Sequence, residues 1–276
     1  MTGTREPRSR PQRVLIIVPA WNEQDALTQT LQDIASSGEA VHVLVVDDGS
    51  TDSTATVAAD AGALVCSLPF NLGVGGAMRT GYRYALRHGY DAAVQFDADG
   101  QHDARYLSPL IDQLVDHDLV IGARFAGEGV PYRVSPARRA AMKILAVALS
   151  RMARTTLTDV TSGYRAANAR AMRVFAAHYP AEYLGDTVES TVIAVRAGCQ
   201  IGQYPVEMRV RQGGVPSQTS ARALLYLVRA GVALVLALVR RWPAVDEDDA
   251  VEPTVPTAHQ ARTPHRRHDE PRGEQP

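Results

Sequence analysis

Short, continuous apolar runs alternate along the chain with longer segments whose apolar residues recur at helical spacing. The runs VLIIV (14–18), VHVLVV (41–46), ALVCSL (63–68), AAVQF (92–96) and LVIGA (119–123) read as strands, the first two of the kind buried on both faces of a parallel sheet. Segments 24–36, 53–61, 75–88 and 104–116 carry helical periodicity, and a further helix is predicted over 186–196. Strand–helix alternation predicts βαβ units and a parallel sheet with helices on both faces. In such sheets ligands bind outside the carboxyl ends of the strands, so the residues that follow each strand are the first candidates for function.

Four of those strand ends are polar or rich in glycine. The first leads into Pro19-Ala20-Trp21-Asn22-Glu23 and the second into Asp47-Asp48-Gly49-Ser50-Thr51-Asp52. The third leads into Asn71-Leu72-Gly73-Val74-Gly75-Gly76, and the fourth into Asp97-Ala98-Asp99-Gly100-Gln101-His102. Asp52 and Ser53 also suit a helix cap. Carboxylates at 47, 48, 97 and 99 on one rim repel one another unless a cation neutralises them. Asp97 and Asp99, two residues apart in a turn, can reach one hard divalent cation. Magnesium or manganese takes few protein oxygens and completes its shell with waters and substrate phosphates, so the bridged ligand would be a diphosphate. Gly73 to Gly76 resembles a dinucleotide fingerprint, but Met78 stands where its last glycine belongs. The chain has no phosphate-binding G-x-x-x-x-G-K-[ST], no G-x-S-x-G and no H-E-x-x-H.

Composition narrows the field by exclusion. The chain has 276 residues and a formal net charge of −1, which gives no support to nucleic-acid binding. Its two cysteines, Cys66 and Cys199, allow neither a disulfide scaffold nor a thiolate zinc cluster from one chain and read as small hydrophobes. No apolar leader follows Met1, so a cytoplasmic location is expected. Residues 1–12 and 243–276 are rich in Arg, Pro and charge and are expected to be disordered.

The four strand-end motifs, in this order and spacing, resemble family 2 glycosyltransferases of the A-type nucleotide-diphospho-sugar fold. G-A-R (122–124), D-V-T-S-G-Y-R-A (159–166), Glu189 nine residues before Gly198, and P-V-E-M-R-V-R-Q-G-G (205–214) are similar to the dolichol-phosphate mannose synthase branch and its bacterial polyprenyl-phosphate relatives. The resemblance covers residues 13–220, read as the catalytic domain. It implies an α/β fold of the A type, a Rossmann-like, mostly parallel sheet flanked by helices.

By resemblance, Pro19, Trp21 and Glu23 would hold the ribose and base of a nucleotide-sugar donor, and Val46 and Asp48 would complete that pocket. Asp97, Ala98 and Asp99 would meet the sugar-diphosphate, with Asp97, Asp99 and Gln101 around a Mg²⁺ or Mn²⁺ ion. Arg124 and Arg211 would face phosphates, which suit a guanidinium fork. Asp99, Arg124 and Glu189 are the candidate catalytic residues, Glu189 lying near the acceptor end as a base or an orienting group. A polyprenyl phosphate is the expected acceptor. It is anionic already, so cations rather than a base would position it, and Arg124, Arg138, Arg139 and Lys143 fit that need. Another lipid or a soluble hydroxyl is the alternative acceptor, and a non-catalytic nucleotide-sugar-binding protein the remote one. The sequence departs from the family at Asp103, where proline is usual, at Gln203, where glutamate is usual, and after Gly214, where a lysine is missing.

Residues 221–242 form an apolar stretch in which Arg222, Arg229 and Arg240 share one helical stripe at about 100° per residue. That pattern predicts a helix lying in the bilayer interface, its arginines toward the headgroups. It would place the protein on the inner face of the plasma membrane. Core packing or a homodimer contact is an alternative use of such a helix, and a true span is a further one, opposed by the mid-helix Arg229.

Overall fold

The structure is a computed structural model that describes residues 8–124, 136–180 and 186–209. Its strands are β1 (Val14–Ala20), β2 (Val41–Asp47), β3 (Leu64–Ser67), β4 (Ala92–Gln95), β5 (Leu119–Ala123), β6 (Arg165–Asn168) and β7 (Ile201–Pro205). Its α-helices are α1 (Gln24–Ser36), α2 (Thr54–Asp60), α3 (Gly73–Arg87), α4 (Leu107–Asp112), α5 (Pro136–Ala153), α6 (Ala169–His178) and α7 (Asp186–Arg196). The strands form one sheet in the order β3-β2-β1-β4-β6-β5-β7, parallel except for β6, which runs antiparallel to both β4 and β5.

Alternation along β1 shows why the sheet is covered on both sides. Leu15 and Ile17 face a core made with Met78 and Tyr82 of α3, Leu145 and Leu149 of α5, Phe175 of α6 and Val192 of α7. Val14, Ile16 and Val18 face the opposite core, made with Leu27, Leu31 and Ile34 of α1, Ala58 of α2, and Leu110 and Ile111 of α4. Side chains alternate across a strand, so a run apolar at every position needs both layers. Each fully buried Leu or Ile contributes about 1.5–3 kcal/mol.

All five predicted strands and the helix Asp186–Arg196 are present. Two strands escaped the pattern. β6 is Arg-Ala-Ala-Asn and β7 is Ile-Gly-Gln-Tyr-Pro, so neither offers an apolar run. The predicted helix over 104–116 is a 3-10 turn, the short helix α4 and a second 3-10 turn. The helix predicted over 75–88 begins two residues earlier, so Gly73 and Val74 belong to the first turn of α3.

The expectation of a disordered start is corrected for residues 8–12. Arg8 pairs with Asp118 at 2.8 Å, Arg10 bridges Glu39 and Asp112, and Pro11 is buried. The interfacial helix over 221–242 and the tail 243–276 lie outside the described residues. No helix among the described residues is long and apolar enough to cross a membrane.

Candidate active site

The ends of β1 and β2 are stitched together. Asn22, at φ +54, takes the Thr51 N–H on its side-chain oxygen at 2.9 Å, and its own N–H donates to the Ser50 hydroxyl at 3.0 Å. The Glu23 N–H donates to Thr54 Oγ1 at 3.0 Å, and Ser53 N–H to the Gln24 side chain at 3.0 Å. Asparagine is among the few residues that enter the left-handed region at low cost. In this frame Pro19 and Val46 are register partners, both buried, and Trp21 is half exposed beside them at the rim. Glu23 is half-buried at the start of α1.

Asp48 does something its sequence position did not reveal. Its carboxylate accepts the N–H groups of Leu72 at 2.7 Å and Gly73 at 2.8 Å, so it caps α3 from another loop, where a helix dipole favours negative charge. Burial holds its carboxyl above the ordinary range despite those two donors. Asp47 accepts the Ser50 N–H at 3.0 Å. Asp47 and Asp48 therefore each have backbone donors, while the charge of Asp47 still works against ionisation of Asp48. Gly49 is required where these loops cross. Its φ is +70, and a Cβ there would lie 2.7 Å from the Phe70 carbonyl carbon.

The turn after β4 is braced from beneath. The Asp97 N–H donates to His102 Nδ1 at 2.9 Å, which leaves the imidazole proton on Nε2, 3.5 Å from Asp97 Oδ2. His102 is buried, and burial lowers its pKa, so the ring is neutral near pH 7. It stacks on Tyr164 at 4.5 Å, and Phe96 meets both rings edge-on. The Tyr164 hydroxyl donates to the Asp103 carbonyl at 3.0 Å. Asp99 is buried and accepts the Gln101 N–H at 3.0 Å, while the Ala98 carbonyl accepts from Thr30 of α1 at 2.9 Å. Asp97 is about a third exposed, at 35%, and takes the Gln95 amide at 3.1 Å. Gly163 packs over it, since a Cβ at 163 would stand 3.2 Å from Asp97 Oδ2. Asp97 and Asp99 are thus one solvent-reaching and one buried carboxylate on a rigid turn. No group of three His, Cys, Asp or Glu among the described residues could hold a metal ion unaided. Two hard oxygen donors fit an ion that draws its remaining ligands from phosphates and water.

Arg124, at the end of β5, is clamped. Its Nε and Nη2 meet Asp159 at 2.6 and 2.9 Å, and Nη2 also reaches Thr161 Oγ1 at 2.7 Å. Asp159 is buried. Burial alone would raise its pKa, but the Arg124 hydrogen bonds and charge win and hold it below the usual range. Arg165 is wholly buried and lies opposite Gln95 in the β4–β6 register. Its guanidinium donates to the Ser162 and Val160 carbonyls and to Ser190 and Thr191 of α7. This ties to the sheet the helix that carries half-buried Glu189.

The sequence reading gave Arg165 no role of its own within the 159–166 motif and missed the pairing of Asp103 with Arg209. Arg209 donates its N–H to the Gln101 carbonyl at 2.9 Å, and its guanidinium reaches Asp33 and, at 3.1 Å, Asp103. Arg209, the last residue described on that side, is therefore fastened to the turn that carries Asp99. The departure from proline at 103 was the available signal. Arg211 itself lies outside the described residues, and for Arg138 and Arg139 the structure fixes only their place in α5.

The sheet order, with carboxylates and guanidinium groups collected beyond its carboxyl edge, defines the class as an A-type glycosyltransferase fold. The profile of Glycosyl transferase family 2 matches residues 15–176, and the chain belongs to that family. It is 31% identical over 230 residues to the undecaprenyl-phosphate mannosyltransferase of Micrococcus luteus, covering 80% of this chain and 95% of the relative. It is also 31% identical over 219 residues to the polyprenol monophosphomannose synthase of Mycolicibacterium smegmatis, covering 76% of this chain and 82% of that one. Among solved structures, glucosyl-3-phosphoglycerate synthase from Mycobacterium tuberculosis, crystallised with Mn²⁺, UDP and glucosyl-3-phosphoglycerate, superposes with a TM-score of 0.62. It shares 18% identity and covers 84% of this chain and 81% of its own. That likeness is one of fold.

Proposed function

We propose that the protein transfers a hexose, with inversion, from a GDP-mannose or UDP-glucose type of donor to a polyprenyl phosphate. The observation that carries this reading is the braced turn holding Asp97 and Asp99 at the same sheet edge as the stitched β1 and β2 loops. The names of the two bacterial relatives support the lipid-phosphate acceptor.

In this reading Pro19, Trp21, Glu23, Val46 and Asp48 frame the nucleotide. An oxygen of the lipid phosphate attacks the anomeric carbon while the bond to the donor diphosphate breaks, and the electron pair leaves with the nucleoside diphosphate. Arg124, fixed by Asp159 before any substrate arrives, offers its guanidinium to charge developing on the leaving group. A Mg²⁺ or Mn²⁺ ion held by Asp97 and Asp99, with Gln101 beside them, would supply further neutralisation of the diphosphate. The phosphate nucleophile needs no deprotonation, which leaves Glu189 to orient the acceptor. Arg211, two residues after Arg209, would serve the phosphates.

A panel of radiolabelled nucleotide sugars, presented with polyprenyl phosphate and Mg²⁺ or Mn²⁺, tests the reading. Label is expected in the organic phase as a mild-acid-labile glycolipid, and its formation is expected to stop in excess chelator. Label confined to a water-soluble glycoside would overturn the acceptor. Donor binding without any product would overturn catalysis.

A further inference from the structure

The near-zero net charge conceals a division between the two helical layers. Helices α1, α2 and α4, on one face of the sheet, carry Asp25, Asp33, Asp60 and Asp112 and no lysine or arginine of their own. Arg209 and Arg10 reach over to pair with Asp33 and Asp112, which leaves Asp25 and Asp60 as the exposed acids of the layer outside these ion pairs. Helices α3, α5 and α6, on the other face, contain no acidic residue at all. The remaining helix of that layer, α7, has its two acids, Asp186 and Glu189, in its first turn, the first buried and the second half-buried. The layer packs as a row, α3 beside α6, α6 beside α7 and α7 beside α5. Arg83 and Arg87 of α3, Arg196 of α7, and Lys143 and Arg151 of α5 are all exposed along it.

The same layer exposes aliphatic surface beside two of these cations, Lys143 and Arg151. Ile144 is 70% and Val147 41% exposed on α5, and with Lys143, Ala148 and Arg151 they line an open groove of about 540 Å³. Cations around exposed aliphatic side chains match an anionic lipid surface, where headgroup phosphates take the guanidinium groups and the aliphatic tips enter the acyl boundary. A nucleic acid would use the cations and leave Ile144 and Val147 without a purpose.

We propose that the α3-α6-α7-α5 layer is a docking face for an anionic lipid bilayer, and that the acidic α1-α2-α4 layer faces away from it. The proposal does not depend on the sugar-transfer reading, because it requires no donor and no turnover.

The full chain is tested by sedimentation with vesicles of phosphatidylglycerol and phosphatidylcholine against phosphatidylcholine alone. Binding to the anionic vesicles is expected to be stronger and to weaken between low and physiological salt, as screening requires. The triple variant Arg83→Glu, Arg87→Glu, Arg151→Glu is expected to lose more than about tenfold in vesicle affinity, since each cation near such a surface is worth about fivefold. Its melting temperature and its activity on a short water-soluble acceptor are expected to stay unchanged. Ile144→Ser with Val147→Ser is expected to remove a several-fold, salt-independent part of the binding. Asp25→Lys with Asp60→Lys, on the opposite layer, is expected to change vesicle affinity by less than about twofold. The C-terminal Arg222, Arg229 and Arg240 are intact in every variant, so any loss reports on the layer. Wild-type affinity in the triple variant overturns the proposal. So does an absence of vesicle binding by the wild type, or displacement from vesicles by duplex DNA at equal phosphate concentration.

Discussion

The two ends of the sheet hold their share of the site by different forces. Around β1, β2 and β3 the loops are fixed mostly by backbone groups meeting small neutral side chains, as in Asn22 with Thr51 and Ser50 with Asn22, the buried Asp48 carboxylate at the start of α3 being the exception. Around β5, β6 and β7 the work falls to guanidinium groups: Arg124 on Asp159, Arg165 on Ser190 and Thr191, and Arg209 on Asp103. A lost neutral hydrogen bond costs about 1 kcal/mol, whereas a charge stripped of its partner in a buried site costs several times that. The first region should therefore fail gradually under substitution and the second abruptly.

The sharpest break is expected at Asp159. Asp159→Ala leaves the largely buried Arg124 without its partner and is expected to cost about 3–5 kcal/mol in urea unfolding. Because its folded carboxyl lies below its ordinary range, the stability it contributes is fully present above the ordinary carboxylate pKa near 4. It is lost as pH falls through the lower folded value. Asp159→Asn is expected to flatten that acid limb, and an unchanged limb would refute the assignment.

Asp186 is expected to behave in the opposite sense. It is buried at the start of α7, its Oδ2 has no hydrogen-bond partner, and burial pushes its carboxyl up to about 6. The folded state then holds a proton that the unfolded chain releases near pH 4. The contribution is fully present below that pH and lost as pH rises through about 6. Asp186→Asn is expected to raise stability at pH 7.5 by roughly 2 kcal/mol and to leave it nearly unchanged at pH 4. Melting temperatures at the two pH values decide it.

In the neutral region, Gly49→Ala is expected to cost about 1–3 kcal/mol for the left-handed backbone, and more for the collision with Phe70. Its effect on donor affinity should exceed that of Asn22→Gly, which removes the Thr51 contact but tolerates the φ.

The smallest effect is expected at Arg209. Arg209→Gln should raise KM for the donor about tenfold, equivalent to about 1.4 kcal/mol, with kcat within about threefold. Arg209→Lys, which can still reach Asp103, should recover much of the loss. Equal falls in kcat and kcat/KM would show that Arg209 does more than position its neighbour.

This contrast also explains what the sequence could and could not disclose. The neutral region is legible because strand and chemistry occupy separate stretches, with VLIIV followed by PAWNE and VHVLVV followed by DDGSTD. Periodicity finds the strand, and the next residues declare the site. In the charged region a single residue serves both. Arg165 is a strand residue, a wholly buried cation and the link to α7, so β6 presents no apolar run to find. Asp103 and Arg209 are 106 residues apart and carry no local pattern. Asp48 was legible as a rim carboxylate, but its partners, the N–H groups of Leu72 and Gly73, belong to every sequence alike.

The central claim is that the Asp97–Asp99 turn performs sugar transfer and is more than a braced loop end. Asp99→Asn tests it most directly, because an asparagine oxygen can still accept the Gln101 N–H and keep the turn while the charge is lost. Single-turnover transfer from the radiolabelled donor to polyprenyl phosphate is measured beside the melting temperature. The account predicts a fall in rate of at least about a hundredfold, of the size seen when an electrostatic contact to a transition state is removed, with the melting temperature within a few degrees of wild type. A folded Asp99→Asn variant that transfers at the wild-type rate would contradict it.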